Sequence, residues 1–411
     1  MQSYLCAPYA HCIEIITNIT PCMFDNTEIA FSHLSDKELK KAWWLFKAIN
    51  VNFLVETGPS LVNLALKLKL PILPLIRSTI FSHFCGGETI EDCEDNIAHL
   101  WAYRVGTILD YSVEQEKTEA AFDQTAAEII ATIRRARGDE KVPFSVFKIT
   151  GIARFELLAK LDAGQALSPD EEEEFRKAKQ RVYRICEESV LAGTPVLIDA
   201  EQSWIQETID RLAMEMMARF NKESALVFNT YQLYRKDALG KLKNDLETAG
   251  ERGFYLGAKL VRGAYLEKER QRAEDLGYES PLHETKADTD RDFDAAVAWC
   301  IDRIDRLSFI AGTHNEASCR KLAERMKGKG LSPDDRRIWF AQLLGMSDNI
   351  SFNLSHHGYQ VAKYVPYGPV KAVLPYLFRR AHENTGISGQ MSRELRLITE
   401  ELQRRKKSRI P

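Results

Sequence analysis

No stretch of the 411-residue chain approaches the ~18–20 consecutive apolar residues that a membrane-spanning helix requires. Residues 1–22 carry Ile13, Ile15 and Ile16 but lack a basic n-region and a continuous apolar core, which argues against a secretory signal. They read either as a flexible extension or as lying ahead of a start at Met23. None of the eight cysteines forms a C-x-x-C pair, so a paired-cysteine zinc site is not expected and the scattered thiols suit a reducing compartment. His83, Cys85, Cys93 and His99 fit no zinc spacing either, and no metal is expected. The net charge of −3 gives no case for nucleic acid as a partner. No G-x-G-x-x-G follows an early strand, which weakens an open doubly wound sheet as the fold.

What is present divides the chain in three. Ser35-Asp36-Lys37-Glu38 has the form of a capping box opening a helix with Leu39, Trp43, Phe46 and Ile49 near one face. A second helix is expected after Pro59, a break at Pro71 and Pro74, and a further helix over 92–104. Residues 1–105 therefore read as a helical region. From 106 the pattern changes to apolar, β-rich runs at 106–113, 144–150, 195–199, 225–230, 255–262, 307–313, 337–343 and 360–366, most of them separated by charged helical patterns. Ser168-Pro169-Asp170 and four glutamates, 171–174, mark one helix start, where acidic residues complement the positive end of the dipole. Eight strands alternating with helices predict an α/β fold, a distorted (β/α)8 barrel over 106–390. The link 344–359, containing Gly345, His356, His357 and Gly358, is short and irregular. It leaves the next helix, about 369–384, free to lie across the barrel mouth. Residues 391–411 form an amphipathic basic tail.

In such barrels chemistry sits where strands end. Lys148 lies inside an apolar run, where a lysine is costly to bury without a charged partner. Asp199, Asn229 with Gln232, Lys259 with Arg262, Thr313-His314-Asn315, Gln342 and Tyr364 close six further strands. Each has an ordinary structural explanation alone; seven of the eight ends together suit a polar, anionic ligand with a pyrophosphate and a heteroatom-rich ring. On the helix over 369–384, Tyr376, Arg379, Arg380 and Glu383 share one face at helical spacing, with Leu374, Leu377, Phe378 and Ala381 opposite. Two adjacent guanidinium groups there suit a carboxylate or phosphate, which they bind bidentately.

At KLVRGAY (259–265), GTHNE (312–316), QLLGMSD (342–348), YVPYGPV (364–370) and YLFRRAHEN (376–384) the chain resembles proline dehydrogenase, over about 106–390 and with the motifs in the family's order. The resemblance implies an FAD-dependent enzyme on a distorted barrel that oxidises L-proline to Δ1-pyrroline-5-carboxylate by hydride transfer to flavin N5 and passes electrons to a membrane quinone. It implies a carboxylate clamp of Arg379 and Arg380, charged residues Lys148 and Asp199 under the substrate, Tyr364 and Tyr376 around the proline ring, and Leu344 on its far side. Lys259 takes the place beside flavin N5, where many bacterial members have arginine. Arg262, Gly263, Ala264, Tyr265, Lys286, Thr289, Thr313, His314, Asn315, Gln342, Arg380 and Glu383 match the FAD-binding set, and Asn229 stands for a glutamine common in bacterial members. FAD is expected to be held non-covalently, since no histidine or cysteine lies in an attachment context.

Two other classes stand beside this reading. A Schiff-base aldolase or lyase would use Lys148 or Lys259 as nucleophile, without explaining the wide polar ring. A non-catalytic binding module would use RRKKSR (404–409) behind Met391, Leu395, Leu397, Ile398 and Leu402. That tail is either a solvated helix whose cations complement its dipole or a contact with an anionic membrane surface. A cytoplasmic protein, peripheral at the inner membrane face, is the location these readings imply; no oligomeric state is legible.

Overall fold

The computed structural model describes residues 23–49, 52–113, 118–386 and 390–408. Its centre is a closed parallel barrel in which strands β1 (Val105–Tyr111), β2 (Phe144–Lys148), β3 (Val196–Asp199), β4 (Val227–Gln232), β5 (Leu256–Val261), β6 (Leu307–Gly312), β7 (Ile338–Leu343) and β8 (Val361–Tyr367) pair in sequence order and β8 closes on β1. The strands are apolar on both faces because both faces are covered. Ile108, Phe144, Val146, Leu197, Phe228, Ile310, Ala341, Ala362 and Tyr364 fill the interior. Their strand neighbours, such as Val105, Leu109, Phe147, Val227, Leu260, Phe309 and Val365, pack outward against the surrounding helices. This alternation decides where each polar side chain goes.

Helix starts follow the sequence signals. Ser35 and Glu38 exchange backbone and side-chain hydrogen bonds at 2.8 and 3.3 Å ahead of the helix Asp36–Ile49. Ser168 and Glu171 form a capping box on Pro169–Ala192. Two expectations need correction. The second N-terminal helix begins at Asn52 and runs to Lys67, so Pro59 lies at its middle, where it removes one backbone hydrogen bond, instead of opening the helix. The β7–β8 link is not irregular throughout, since Asp348–His356 is helical behind a left-handed Ser347. Its tight part is Gly345, at φ 74°, where a Cβ would meet the His83 carbonyl oxygen at 2.5 Å.

The helix Val370–Gly386 turns Val373, Leu374, Leu377 and Ala381 into a second core, shared with Phe46, Ile76, Phe81 and Phe84 of the N-terminal helices. The C-terminal helix Gln390–Lys407 joins it through Leu397 and Ile398, each 1% exposed. Glu401, fully buried, accepts from Thr27, Arg404 and Arg405, and Arg405 also donates to Asp36 and to the Phe31 and Leu34 carbonyls. The tail's apolar side is therefore covered, while Lys406 and Lys407 at its basic end are exposed. Its apolar side and Arg405 are spent on the N-terminal helices, and Arg409 lies outside the described residues. No helix among the described residues is long and apolar enough to cross a membrane.

Candidate active site at the barrel mouth

β2 and β3 pair with Lys148 directly opposite Asp199, at the C-terminal ends of both strands and both facing inward. Lys148 Nζ donates to Asp199 Oδ2 at 2.9 Å. The other carboxylate oxygen accepts from Lys259 Nζ, which comes from β5. Lys259 also donates to the Tyr364 hydroxyl at 2.8 Å and lies 4.7 Å from that ring's centre. One carboxylate thus holds two ammonium groups and, through one of them, a phenol. Burial alone would raise the Asp199 pKa, but the two lysines overcome it and hold the carboxyl down at about 2. Burial also opposes charge on Lys148, yet Asp110 and Asp199 keep its ammonium well above the usual range. Lys259, more deeply buried, is pushed down by desolvation despite Asp199.

Asp110 was not singled out from the sequence. It sits inside β1, 8% exposed, accepts from Ser112 at 3.0 Å and balances Lys148. The signal that marked Lys148, a charge within an apolar run, was equally present in GTILDYSV. Glu201 is a second omission as an acid of the mouth. Only 3% exposed, it accepts from the Thr150 backbone at 3.0 Å, and burial raises its pKa.

A second group lies along the ends of β5, β6 and β7. Arg262 turns outward over the Phe293 ring, 4.3 Å from its centre, and donates to Asp290, Thr313 Oγ1 and Ser318 Oγ at 2.6, 2.6 and 2.9 Å. Lys286 shares Asp290 with it at 2.6 Å. Thr285 caps the helix Lys286–Ile301, whose second turn carries Thr289, and Asn315 caps Glu316–Gly328. Two helix N-termini and two cations accordingly converge on one edge of the barrel, a set suited to phosphate oxygens. Gly263 permits the close approach there, at φ 132° with a Cβ position 2.5 Å from the Tyr234 ring; Ala264 and the half-buried Tyr265 follow it. Gln342 donates to the Thr313 carbonyl at 3.0 Å, and His314 Nδ1 lies 2.9 Å from Ser347 Oγ. Burial, then Lys363, Arg380 and Arg262, push the His314 pKa down to about 3, so its imidazole is neutral.

The helix Val370–Gly386 brings its polar face to both groups. Arg380 is 9% exposed, its guanidinium 5.3 Å from the Tyr376 ring centre, and it acts on His314. The half-buried Arg379 acts on the Tyr265 phenol. The Glu383 side chain lies outside the described residues.

Two expected site residues are displaced. Asn229 does not face the mouth. It points outward from β4 and donates to Asp210 at 2.8 Å beneath the helix Ser203–Phe220. Strand alternation puts Gln232, three residues on, at the mouth instead, donating to the Glu201 carbonyl at 2.7 Å. Leu344 packs against the outer core, while Leu343 forms the apolar wall beside Tyr364.

A parallel (β/α)8 barrel with charged side chains gathered at the C-terminal strand ends has the architecture in which barrel enzymes place their active sites. The family model for proline dehydrogenase matches residues 93–393. A relative named mitochondrial proline dehydrogenase 1 from Dictyostelium discoideum is 32% identical over 90% of this chain and 73% of its own length. The Drosophila melanogaster protein of the same name is 41% identical over 58% of this chain, a match spanning 37% of that relative. Among solved structures, proline utilization A from Bdellovibrio bacteriovorus is 19% identical with a TM-score of 0.67, covering 88% of this chain and 36% of that one, a likeness in fold. The chain belongs to the proline dehydrogenase family, a family of oxidoreductases acting on proline.

Proposed function

We propose that this chain oxidises L-proline to Δ1-pyrroline-5-carboxylate with non-covalently held FAD and a membrane quinone as final acceptor, as a peripheral protein of the cytoplasmic membrane face. The observation that carries this reading is the Lys148–Asp199–Lys259–Tyr364 cluster at the barrel mouth, with Arg379 near enough to act on the Tyr265 phenol beside it. The arginines would clamp the proline carboxylate, which fixes the ring's orientation. Tyr364, Tyr376 and Leu343, with Leu344 beyond, would pack around the ring. Asp199 has both oxygens taken by lysines, so it serves as a charge anchor holding those ammoniums in place and stays ionised at neutral pH.

The donor set on β5–β7 fits FAD. Arg262 and Lys286, with the two helix N-termini, suit its pyrophosphate; Thr289, Thr313, His314, Asn315 and Gln342 supply hydrogen-bonding groups around them, Gly263, Ala264 and Tyr265 shape the approach, and Gln232 takes the place expected of Asn229. Lys259 would face the redox-active ring, where a cation stabilises developing negative charge. When bound, FAD supplies the acceptor for the hydride leaving proline C5. Glu383 is retained as a family match.

The purified protein should be yellow, and L-proline added anaerobically should bleach it; a flavin spectrum unmoved by proline would sink the reading. Acid precipitation should release the colour into the supernatant. A Schiff-base enzyme using Lys259 would instead be trapped by borohydride with its carbonyl substrate.

A further inference from the structure

A serine at the N-cap of a helix ordinarily turns its hydroxyl onto the backbone N–H groups of the first turn, as Ser168 does on Pro169–Ala192. Ser347 stands at the N-cap of Asp348–His356 and makes no such bond. Its Oγ lies 2.9 Å from His314 Nδ1 instead. It also holds a left-handed backbone, φ 52°, which is unfavourable for a non-glycine residue and persists only where its surroundings over-determine it. Those surroundings include the C-terminal helix: the Ser347 N–H donates to Glu394 Oε1 at 2.7 Å. Arg393, the neighbour of Glu394, pairs with Glu316, which also accepts from Asn349 at 2.6 Å. Glu316 lies two residues after His314 and Asn349 two after Ser347, so one turn of Gln390–Lys407 ties down both sides of the His314–Ser347 contact. One turn into Asp348–His356, the fully buried Ser351 donates to Gln342 Oε1 at 2.9 Å, and the Gln342 amide donates on to the Thr313 carbonyl at 3.0 Å.

We infer that Ser347, Ser351 and Glu394 are positioning residues that fix the His314 ring and the Gln342 amide toward the flavin, and that the start of the C-terminal helix is thereby part of the cofactor site. This rests on the reading of the β6 and β7 ends as part of an FAD cradle. Each of the three acts through the group it holds. Ser347 sets which His314 nitrogen is engaged and which is left for a ligand, because a hydrogen bond at one ring nitrogen determines the role of the other. Ser351 sets the sense of the Gln342 amide, whose oxygen and one N–H are then taken and whose second N–H is left to offer. Glu394 acts one step further out, by satisfying the backbone N–H of the residue whose conformation aims the Ser347 hydroxyl at His314.

The test is the rate at which the full-length holoenzyme releases FAD on dilution, followed as flavin fluorescence rises, measured beside the thermal midpoint. Ser347→Gly separates positioning from stability. Glycine adopts the left-handed backbone without strain, so the midpoint should hold or rise. Loss of the hydroxyl should nevertheless speed FAD release by about two- to twelve-fold, the equivalent of one neutral hydrogen bond. Ser351→Ala and Glu394→Ala should fall in the same range, and Glu394→Gln, whose amide oxygen still accepts from Ser347, should restore the unaltered rate. Glu400→Ala, which removes an exposed partner of Arg396 on the same helix, should release FAD as the unaltered chain does. With FAD saturating, KM for proline should be unchanged in all of them. An unaltered release rate in Ser347→Gly overturns the inference. So does release from Glu394→Gln as fast as from Glu394→Ala, or faster release from Glu400→Ala, which would reduce the effect to docking of the helix. If the unaltered chain holds no FAD, the proposed oxidation fails and this inference with it; failure confined to the variants leaves that reading standing.

Discussion

Lys363 and Tyr364 are neighbours on β8 and point to opposite sides of the barrel wall. Behind the wall Lys363, fully buried, donates to Asp348 at 2.8 Å and to the Met346 and Leu343 carbonyls, and Asp348 faces His33 at 3.3 Å. Every donor on that ammonium is directed at a protein oxygen, and the cluster pins the β7–β8 link to the N-terminal helices. At the mouth, Tyr364 belongs to a cluster where Lys148 and Lys259 share Asp199, and Arg379 acts on the neighbouring Tyr265 phenol. The first arrangement is closed upon itself. The second lies at the strand ends, where barrel enzymes place their chemistry. Both bury lysine and aspartate, so burial of a charge pair does not identify a site; what distinguishes them is where they lie, one behind the barrel wall and the other at the C-terminal ends of the strands.

The largest effect should come from breaking the closed cluster. Lys363→Met leaves the Asp348 carboxylate buried without its principal partner and should cost about 3–5 kcal/mol in a denaturation experiment. Lys363→Met/Asp348→Leu should recover much of that, since paired apolar replacements are often neutral. Turnover of the folded fraction should stay close to normal in the double variant. Stability unaffected by the single change would show that the carbonyls and His33, not the ion pair, hold the link.

At the mouth the order of effects reverses. Arg379→Met should leave stability near normal but remove a charge-assisted contact worth about 1.5–3 kcal/mol. That is roughly a ten- to 150-fold loss of proline affinity, and turnover should fall too, because the same contact orients the substrate. Arg379→Lys should rescue only partly, an ammonium lacking the planar fork. Full proline efficiency in Arg379→Met, at normal flavin content, would detach this helix from the site.

What could be read beforehand divides along similar lines. The barrel was legible because strands covered on both faces leave apolar runs between charged helices, and all eight were placed. The phase of a strand's pleat was not legible. FNTYQ offers an amide at both ends, and only the packing of Phe228 inward turns Asn229 to Asp210 and Gln232 to the mouth. Lys363 passed as part of an apolar run, and its partner Asp348 lies across a turn set by Gly345 and Ser347. Nor could composition show that Leu397 and Ile398 would be covered by Asp36–Ile49, because that docking is tertiary.

The clusters should also differ in how they respond to pH. Asp199 has its folded pKa held at about 2, below the ordinary 3.8, so its stabilisation is present above about pH 4 and is lost as pH falls through 2. Glu394, whose carboxylate accepts from the Ser347 backbone at 2.7 Å beside the closed cluster, is pushed up to about 7 by burial and by Asp348. Its sign is opposite: stability is lost as pH rises from about 4.5 to 7, because the folded state resists ionisation. Glu394→Gln should be more stable than the unaltered chain above pH 7, by on the order of 1–2 kcal/mol, and indistinguishable at pH 4. A pH-independent difference would mean that the Ser347 hydrogen bond, not the charge, sets the effect.

The smallest change isolates a single hydroxyl on the open side. Tyr364→Phe keeps the ring in place and removes only the oxygen that accepts from Lys259 at 2.8 Å. Lys259 retains Asp199, so the ammonium is not orphaned, and the net worth of the lost bond is about 0.5–1.5 kcal/mol. At 1.4 kcal/mol per decade that is a roughly two- to twelve-fold loss in kcat/KM for proline. The loss should fall mainly on kcat, because the hydroxyl holds Lys259 and the proposed carboxylate clamp on the helix Val370–Gly386 is untouched. Arg379→Met, by contrast, should raise KM strongly. A Tyr364→Phe variant that raises KM with kcat unchanged would place the hydroxyl in contact with substrate instead, and would transfer the role of fixing Lys259 to Asp199 alone.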